Sequence, residues 1–192
     1  MSITLSLKSW LGIAEPDEDI MLKYGNTGEV QYLSELIKRL GDDLYFYLVK
    51  HSDQELAKDI AQQTWLKVID KRKSYSTTGS VKSWLFTIGR TTLIDEFRKQ
   101  QRWQPLLDES QVVSSDNELH RVFQSNRLKA FNQALNSLPF LQREALVLQQ
   151  EGFRLREIAT ITGSEIETIK TRIRYAKQSL KSLFEAKDLN HD

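Results

Sequence analysis

Between Gly152 and Ile173 two short apolar periodicities flank the triplet Thr162-Gly163-Ser164, and this spacing constrains the fold more than any other feature of the chain. Leu155, Ile158, Ala159 and Ile161 recur at helical spacing, and small Ala159 lets a second helix cross closely. Gly163 can take the left-handed conformation that ends a helix. Ser164 is placed to cap the next helix, with Glu165 and Glu167 in its first turn, where the helix dipole favours carboxylates. That second helix has Ile166, Ile169, Ile173 and Ala176 on its apolar side, continued by Leu180 and Leu183. Its other face carries Thr168, Lys170, Thr171, Arg172, Arg174 and Lys177. Two helices across a glycine turn, the second one basic, form a helix-turn-helix. A major groove accepts one such helix, whose side chains meet phosphates and base edges. The competing reading is an ordinary helical hairpin with a solvated basic face.

The charge pattern bears on the partner. A formal net charge of +1 conceals two basic zones. Residues 71–104 hold eight bases (Lys71, Arg72, Lys73, Lys82, Arg90, Arg98, Lys99, Arg102) against Asp95 and Glu96. Residues 152–183 hold seven (Arg154, Arg156, Lys170, Arg172, Arg174, Lys177, Lys181) against Glu157, Glu165 and Glu167. Between them, residues 105–126 carry Asp108, Glu109, Asp116 and Glu118 against Arg121 alone. Two positive footprints joined by an acidic tether point to bipartite contact with a polyanion.

The 192 residues, 40% hydrophobic with four Trp and eight Phe, suffice for one medium or two small cores, and the paired footprints favour two. The absence of cysteine excludes disulfides, thiolate metal sites and a thiol nucleophile. No run of apolar residues is long enough for a transmembrane helix, and no basic segment leads into a long apolar run at the N-terminus. These features predict a soluble cytoplasmic chain without membrane insertion.

Almost every periodic stretch is helical. Residues 1–28 mix Trp10, Leu11 and Ile13 with Glu15, Asp17, Glu18 and Asp19 around Pro16, and read as a mobile or loosely docked arm. Residues 30–40 and 43–51 read as one interrupted helix, or two joined, near Gly41-Asp42. Residues 54–71 form a longer helix capped by Asp53 or Ser52, with Leu56, Ile60, Thr64 and Val68 in one column. A polar loop over 74–80 precedes another long helix over 81–102. A weak helical piece falls near Leu119 to Phe123, and helices follow over 128–138 and 140–150 before the helix-turn-helix. The expected fold is all-α. Its parts are an arm (1–28), a helical domain (29–104), a flexible acidic linker (105–126), a helix-turn-helix domain (127–185) and a tail (186–192).

The segment Ser83-Trp84-Leu85-Phe86-Thr87-Ile88-Gly89-Arg90-Thr91-Thr92-Leu93-Ile94-Asp95-Glu96-Phe97-Arg98-Lys99 resembles the promoter-reading helix of bacterial RNA polymerase sigma factors of the extracytoplasmic-function group. Leu138-Pro139, Gln142-Arg143-Glu144-Ala145-Leu146, Glu157-Ile158-Ala159 and Thr168-Ile169-Lys170-Thr171-Arg172 resemble that group's C-terminal domain. The two matches stand in the family's order and cover roughly residues 30–185. The resemblance implies a non-enzyme without cofactor whose partners are core RNA polymerase and promoter DNA. It assigns polymerase contact to Glu55, Asp59, Gln62, Gln63, Trp65 and Leu66. For the −10 element it implies Tyr75, Ser76, Thr77, Arg90, Thr91, Asp95, Arg98, Lys99 and Arg102, with the 75–80 loop receiving a flipped base. For the −35 element it implies Thr168, Lys170, Thr171, Arg172, Arg174 and Lys177. Trp84, Leu85 and Ile88 are spaced instead to pack in a core.

The chain departs from the family at several of these positions. Thr91 replaces an asparagine, Gly89 an alanine, and Ser164 an apolar residue of the turn. In the polymerase-facing helix, Lys58 and neutral Gln63 stand where the family commonly has acids. Negative charge could be restored by a Ser/Thr kinase acting on Thr64, since a phosphate adds about −1.5 to −2 charges; restraint by an anti-sigma protein is the commoner family device. A stand-alone helix-turn-helix regulator would need the C-terminal tract but no polymerase-facing helix. Enzymatic readings find no support in the scattered His51, His120 and His191.

Overall fold

The computed structural model describes residues 15–77, 79–100 and 126–188, with side chains in the last stretch described for 131–184. Eight α-helices make up these stretches: α1 (Asp17–Thr27), α2 (Val30–Val49), α3 (Gln54–Lys71), α4 (Val81–Lys99), α5 (Asn126–Asn136), α6 (Phe140–Gln150), α7 (Leu155–Thr162) and α8 (Ile166–Asp188). A single 3-10 turn, Arg72–Ser74, links α3 to the loop before α4. The chain is all-α across the described residues, as expected, and its C-terminal part is a helix-turn-helix. The acidic tether and the helical piece near Leu119 lie outside them.

Residues 17–27 correct the reading of a loose arm. They form α1, with Asp17, Glu18 and Asp19 in the first turn, where the N-terminal dipole stabilises them, and Ile20, Met21 and Tyr24 buried. Gly28 ends the helix at φ +70°, its N–H donating to the Tyr24 carbonyl. Arg39 of α2 anchors the start of α1 by donating to the Glu15 carbonyl at 2.6 Å and to Asp17 at 3.0 Å.

Helix α2 runs unbroken through Gly41, because Leu36, Leu40, Leu44, Tyr47 and Leu48 bury one continuous face. That burial outweighs the roughly 1 kcal/mol that a helical glycine costs. Asp53, rather than Ser52, caps α3 by accepting the Leu56 N–H at 2.9 Å. Ala57, Ile60, Thr64 and Val68 form its buried column, with Leu56 only partly covered. Ser80 caps α4, which is buried over ten positions because it is covered by α2 and α3 on one side and α7 on another. At Gly89 an added Cβ would stand 2.8 Å from Leu44 Cδ1 and 3.7 Å from Thr64. The missing side chain is what lets α2, α3 and α4 converge there.

Helices α5–α8 enclose Leu138, Phe140, Leu148, Ile158, Ile169, Ile173 and Ala176. Leu183 is 38% exposed and falls outside that core, unlike Leu180. The two helical groups share one hydrophobic cluster. Phe86 meets Phe153 edge-on at 4.8 Å, and Phe140 receives His51 at 5.3 Å and Phe97 at 6.0 Å.

Candidate polymerase and nucleic-acid interface

The outer face of α3 presents Glu55, Lys58, Asp59, Gln62, Gln63, Leu66 and Asp70 to solvent. Leu66, 55% exposed amid polar neighbours, gives this face an apolar centre. Trp65 is partly buried against the core and holds the face in place. Thr64 points the other way. It is fully buried, and its hydroxyl donates to the Ile60 carbonyl at 2.7 Å. The expectation of an accessible phosphoacceptor therefore fails in this conformation, for the column that carries Thr64 is the one that packs on α4.

In the loop before α4, Tyr75 is nearly buried, edge-on to Trp84 at 5.5 Å, and its hydroxyl donates to the Gly79 carbonyl at 3.0 Å. Tyr75 thus closes the loop while Ser76 and Thr77 are exposed at its tip. Leu85 and Ile88 are core residues, matching their spacing, while Trp84 is only partly buried against that core and Phe86 beside it is fully buried. Thr91 is exposed and bonds back to the Thr87 carbonyl at 2.8 Å. Asp95 pairs with Arg98 at 3.5 Å, and Lys99 with Glu96 at 3.3 Å, on the exposed end of the helix. Arg102 lies outside the described residues.

The helix-turn-helix forms as the spacing predicts, with Gly163 at φ +65° between α7 and α8. Ser164 does not cap α8. The helix opens one residue later, with the Glu165 carbonyl accepting the Ile169 N–H, and the Ser164 hydroxyl accepts from Arg172 at 3.0 Å. This polar turn residue thereby orients a base on the recognition helix. Thr168, Lys170, Thr171, Arg174 and Lys177 are exposed and Arg172 is half-buried. Tyr175, missed in the sequence because it sits beside the helix's buried face, is 45% exposed and lies against Arg174. It adds a planar ring to the exposed basic surface.

The structure brings the two sets of residues together face to face. Arg90 donates to Glu144 of α6 through Nε at 2.8 Å and Nη2 at 3.1 Å, and Tyr47 Oη donates to the same carboxylate at 3.0 Å. Ser80 donates to Glu157 of α7 at 3.1 Å, and Lys82 reaches Asp43 at 2.7 Å and the Glu151 carbonyl at 3.0 Å. A cleft of about 500 Å³ remains between Ser76, Ser83, Trp84 and Thr87 on one side and Arg156 and Thr160 on the other. The loop that the resemblance assigns to a flipped base is thus roofed by the first helix of the DNA-reading motif.

Interdomain burial also sets a pH limit. His51 is held down to about 3 from the usual 6.5 by burial, with the positive charges of Arg143, Arg90 and Lys50 adding to the effect. Its Nδ1–H donates to the Tyr47 carbonyl at 2.7 Å, which works against the shift without cancelling it, and at neutral pH the folded ring is uncharged. The folded pKa lies below the unfolded one, so this stabilisation is complete above about pH 6.5. It is lost as the pH falls towards 3, by up to about 1.4 kcal/mol per unit. Thermal melts should show stability falling between pH 6.5 and 4.5 more steeply for the native chain than for His51→Phe; parallel curves would place the ring in water.

A polar helix face centred on the exposed Leu66 and a helix-turn-helix with a basic second helix are the features of a two-part helical protein of the DNA-binding class. The sigma-70 region 2 family matches residues 36–103, and the sigma-70 region 4 family matches residues 128–180. The chain is 31% identical over 149 residues to the RNA polymerase sigma factor SigV of Bacillus subtilis, covering 77% of this chain and 86% of that one. It is 29% identical over 146 residues to the ECF sigma factor EcfG of Rhodopseudomonas palustris, covering 72% and 76%. Among solved structures it is similar to the sigma factor RpoE of Bartonella quintana, crystallised with the anti-sigma factor NepR. That likeness has TM-score 0.66 and 31% identity, covering 81% of this chain and 97% of that chain. The chain belongs to the RNA polymerase sigma factors of the extracytoplasmic-function group. Among the described residues no helix is long and apolar enough to cross a membrane.

Proposed function

We propose that the chain is an alternative sigma factor that binds core RNA polymerase through the outer face of α3 and directs it to promoters. It reads the −35 element with Thr168, Lys170, Thr171, Arg172, Arg174 and Lys177. The loop at Ser76 and Thr77, with Arg90, Thr91, Asp95, Arg98, Lys99 and Arg102, serves the −10 element. Tyr75 shapes that loop from beneath. The observation that carries this reading is the placement of two exposed surfaces on two separate helical groups, each matching its own sigma region in the family's order. Strand opening then comes from a surface that holds unpaired bases and phosphates better than the duplex does. The chemistry belongs to the polymerase.

Control by an anti-sigma protein is supported by the relative crystallised with such a partner. A kinase acting on Thr64 would first need α3 to separate from α4, because the hydroxyl is fully buried between them. The decisive experiment is co-elution of the purified chain with core polymerase, followed by promoter-dependent transcription. Association and run-off transcript are expected; DNA binding without polymerase association would make it a stand-alone helix-turn-helix regulator. The α3 face exposes Gln63 and Lys58 where the family resemblance implies acids, so Gln63→Glu should tighten polymerase binding. Each added surface pair is worth about 0.2–1 kcal/mol, roughly up to five-fold in affinity, and the gain should shrink at high salt.

A further inference from the structure

We propose that the cleft between α1 and the Arg72–Ser74 turn is a separate subsite for the unpaired promoter strand, taking the phosphate and base of one nucleotide. The inference rests on the sigma reading above and names a contact that reading does not assign. The cleft, about 360 Å³, is lined by Met21, Leu22, Asn26, Arg72, Lys73 and Tyr75, with Gly25 at its floor. No carboxylate lines it.

Two glycines build the site around Arg72. A Cβ on Gly25 would stand 3.1 Å from the Arg72 carbonyl, so α1 can lie directly on the turn only without one. Gly28, at φ +70°, leaves bare backbone on which the guanidinium rests, its Nε 3.7 Å from the missing Cβ. One guanidinium nitrogen donates to the Ile69 carbonyl at 3.1 Å, which fixes the side chain at the end of α3. The Nε–H, however, is buried with no acceptor among the described residues. What the cleft itself offers a ligand is the positive charge of Arg72 and of Lys73, which is exposed beside it, with no carboxylate to offset them, and that pairing favours an anion.

The remaining walls specify what the anion is attached to. Met21 and Leu22 supply an apolar side, Asn26 an amide able to donate and accept, and Tyr75 an aromatic edge. A phosphate carrying a flat, partly polar ring satisfies all of these together, and a bare inorganic anion leaves the apolar side unused. Tyr75 also lines the cleft at Ser76, Ser80 and Trp84, so successive nucleotides of one strand can occupy the two sides of a single residue. The lining comes wholly from the N-terminal helical group, which leaves the site open whether or not α7 roofs the loop.

The test uses the full chain with core polymerase and a fluorescent single-stranded oligonucleotide of non-template promoter sequence. Arg72→Gln/Lys73→Gln is expected to bind it at least ten-fold more weakly, with a salt dependence shallower by about 0.7 per lost phosphate contact. Duplex −35 binding by α8 should be unchanged. Lys73→Gln alone, at an exposed position, should give part of the loss without disturbing the fold. Variants that melt like the native protein and bind the oligonucleotide equally well overturn the subsite. A native chain that retains no oligonucleotide with polymerase overturns the sigma reading and the subsite with it. In a parallel arm, a free deoxynucleoside monophosphate that binds in an Arg72-dependent way, while oligonucleotide binding is indifferent to the variants, reassigns the cleft to a free nucleotide and overturns the strand contact.

Discussion

Thr64→Glu is expected to destabilise the N-terminal helical group strongly rather than to add charge to its surface. The Thr64 side chain has no exposed area, and its atoms stand 3.7 Å from the place a Cβ would occupy on Gly89. A glutamate there is both too long and charged. Overpacking a filled site costs about 1–3 kcal/mol, and an unpaired buried charge brings the total to roughly 3–5 kcal/mol or forces the carboxyl to stay protonated. Against a typical stability of about 5–15 kcal/mol, this should lower Tm by roughly 10 °C or more. Thr64→Val should be nearly neutral, within about 1 kcal/mol, since the hydroxyl bonds only to the carbonyl of its own helix at Ile60. Thermal melts of the three proteins by circular dichroism decide the matter. A glutamate variant that melts like the native chain would mean that position 64 reaches solvent, and would return the phosphorylation switch to contention.

The contrast between Thr64 and its neighbours shows what a sequence can and cannot display. Period was legible and caps were legible in part: Gly163, Asp53 as one of two candidates, and the Ile169-Ile173-Ala176 face stand where spacing put them, because each is decided within one or two helical turns, whereas Ser164 turns to Arg172 instead of capping α8. The buried column of α3 was legible too, and it already placed Thr64 inside. The acidic start of α1 was misread because Asp17, Glu18 and Asp19 look like loop charges until Ile20, Met21 and Tyr24 are seen to have a surface to pack on. Tertiary partners were not legible at all. Nothing local in Gln142-Arg143-Glu144 announces that all three are buried, and the partners of Glu144, Tyr47 of α2 and Arg90 of α4, arrive from more than forty residues away. Likewise, Arg90 reads as one more base on a basic helix until Glu144 is found opposite it.

Glu144→Ala is expected to open the molecule. Its carboxylate is 1% exposed, holds Arg90 at two nitrogens and accepts from Tyr47, so its removal leaves a guanidinium and a phenol in the interface without their partner. Breaking a buried pair of this kind costs about 3–5 kcal/mol. Unlike the Thr64 site, this one lies between helical groups, and their separation returns Arg90 and Tyr47 to water while each group keeps its helices. The expected signature is therefore expansion without loss of helix: small-angle scattering should give a radius of gyration near the compact value of about 16 Å for the native chain and a clearly larger one for the variant. Circular dichroism at low temperature should be unchanged. Arg90 is then free to meet phosphates, so the isolated variant should bind promoter DNA more tightly than the native chain, with a steeper salt dependence. Arg90→Glu combined with Glu144→Arg should close the molecule again, since the pair is restored with its charges exchanged, yet it should not recover DNA affinity because position 90 now carries a carboxylate. If Glu144→Ala instead melts early at unchanged dimensions, the two helical groups form one inseparable core, and opening would have to come from polymerase binding alone.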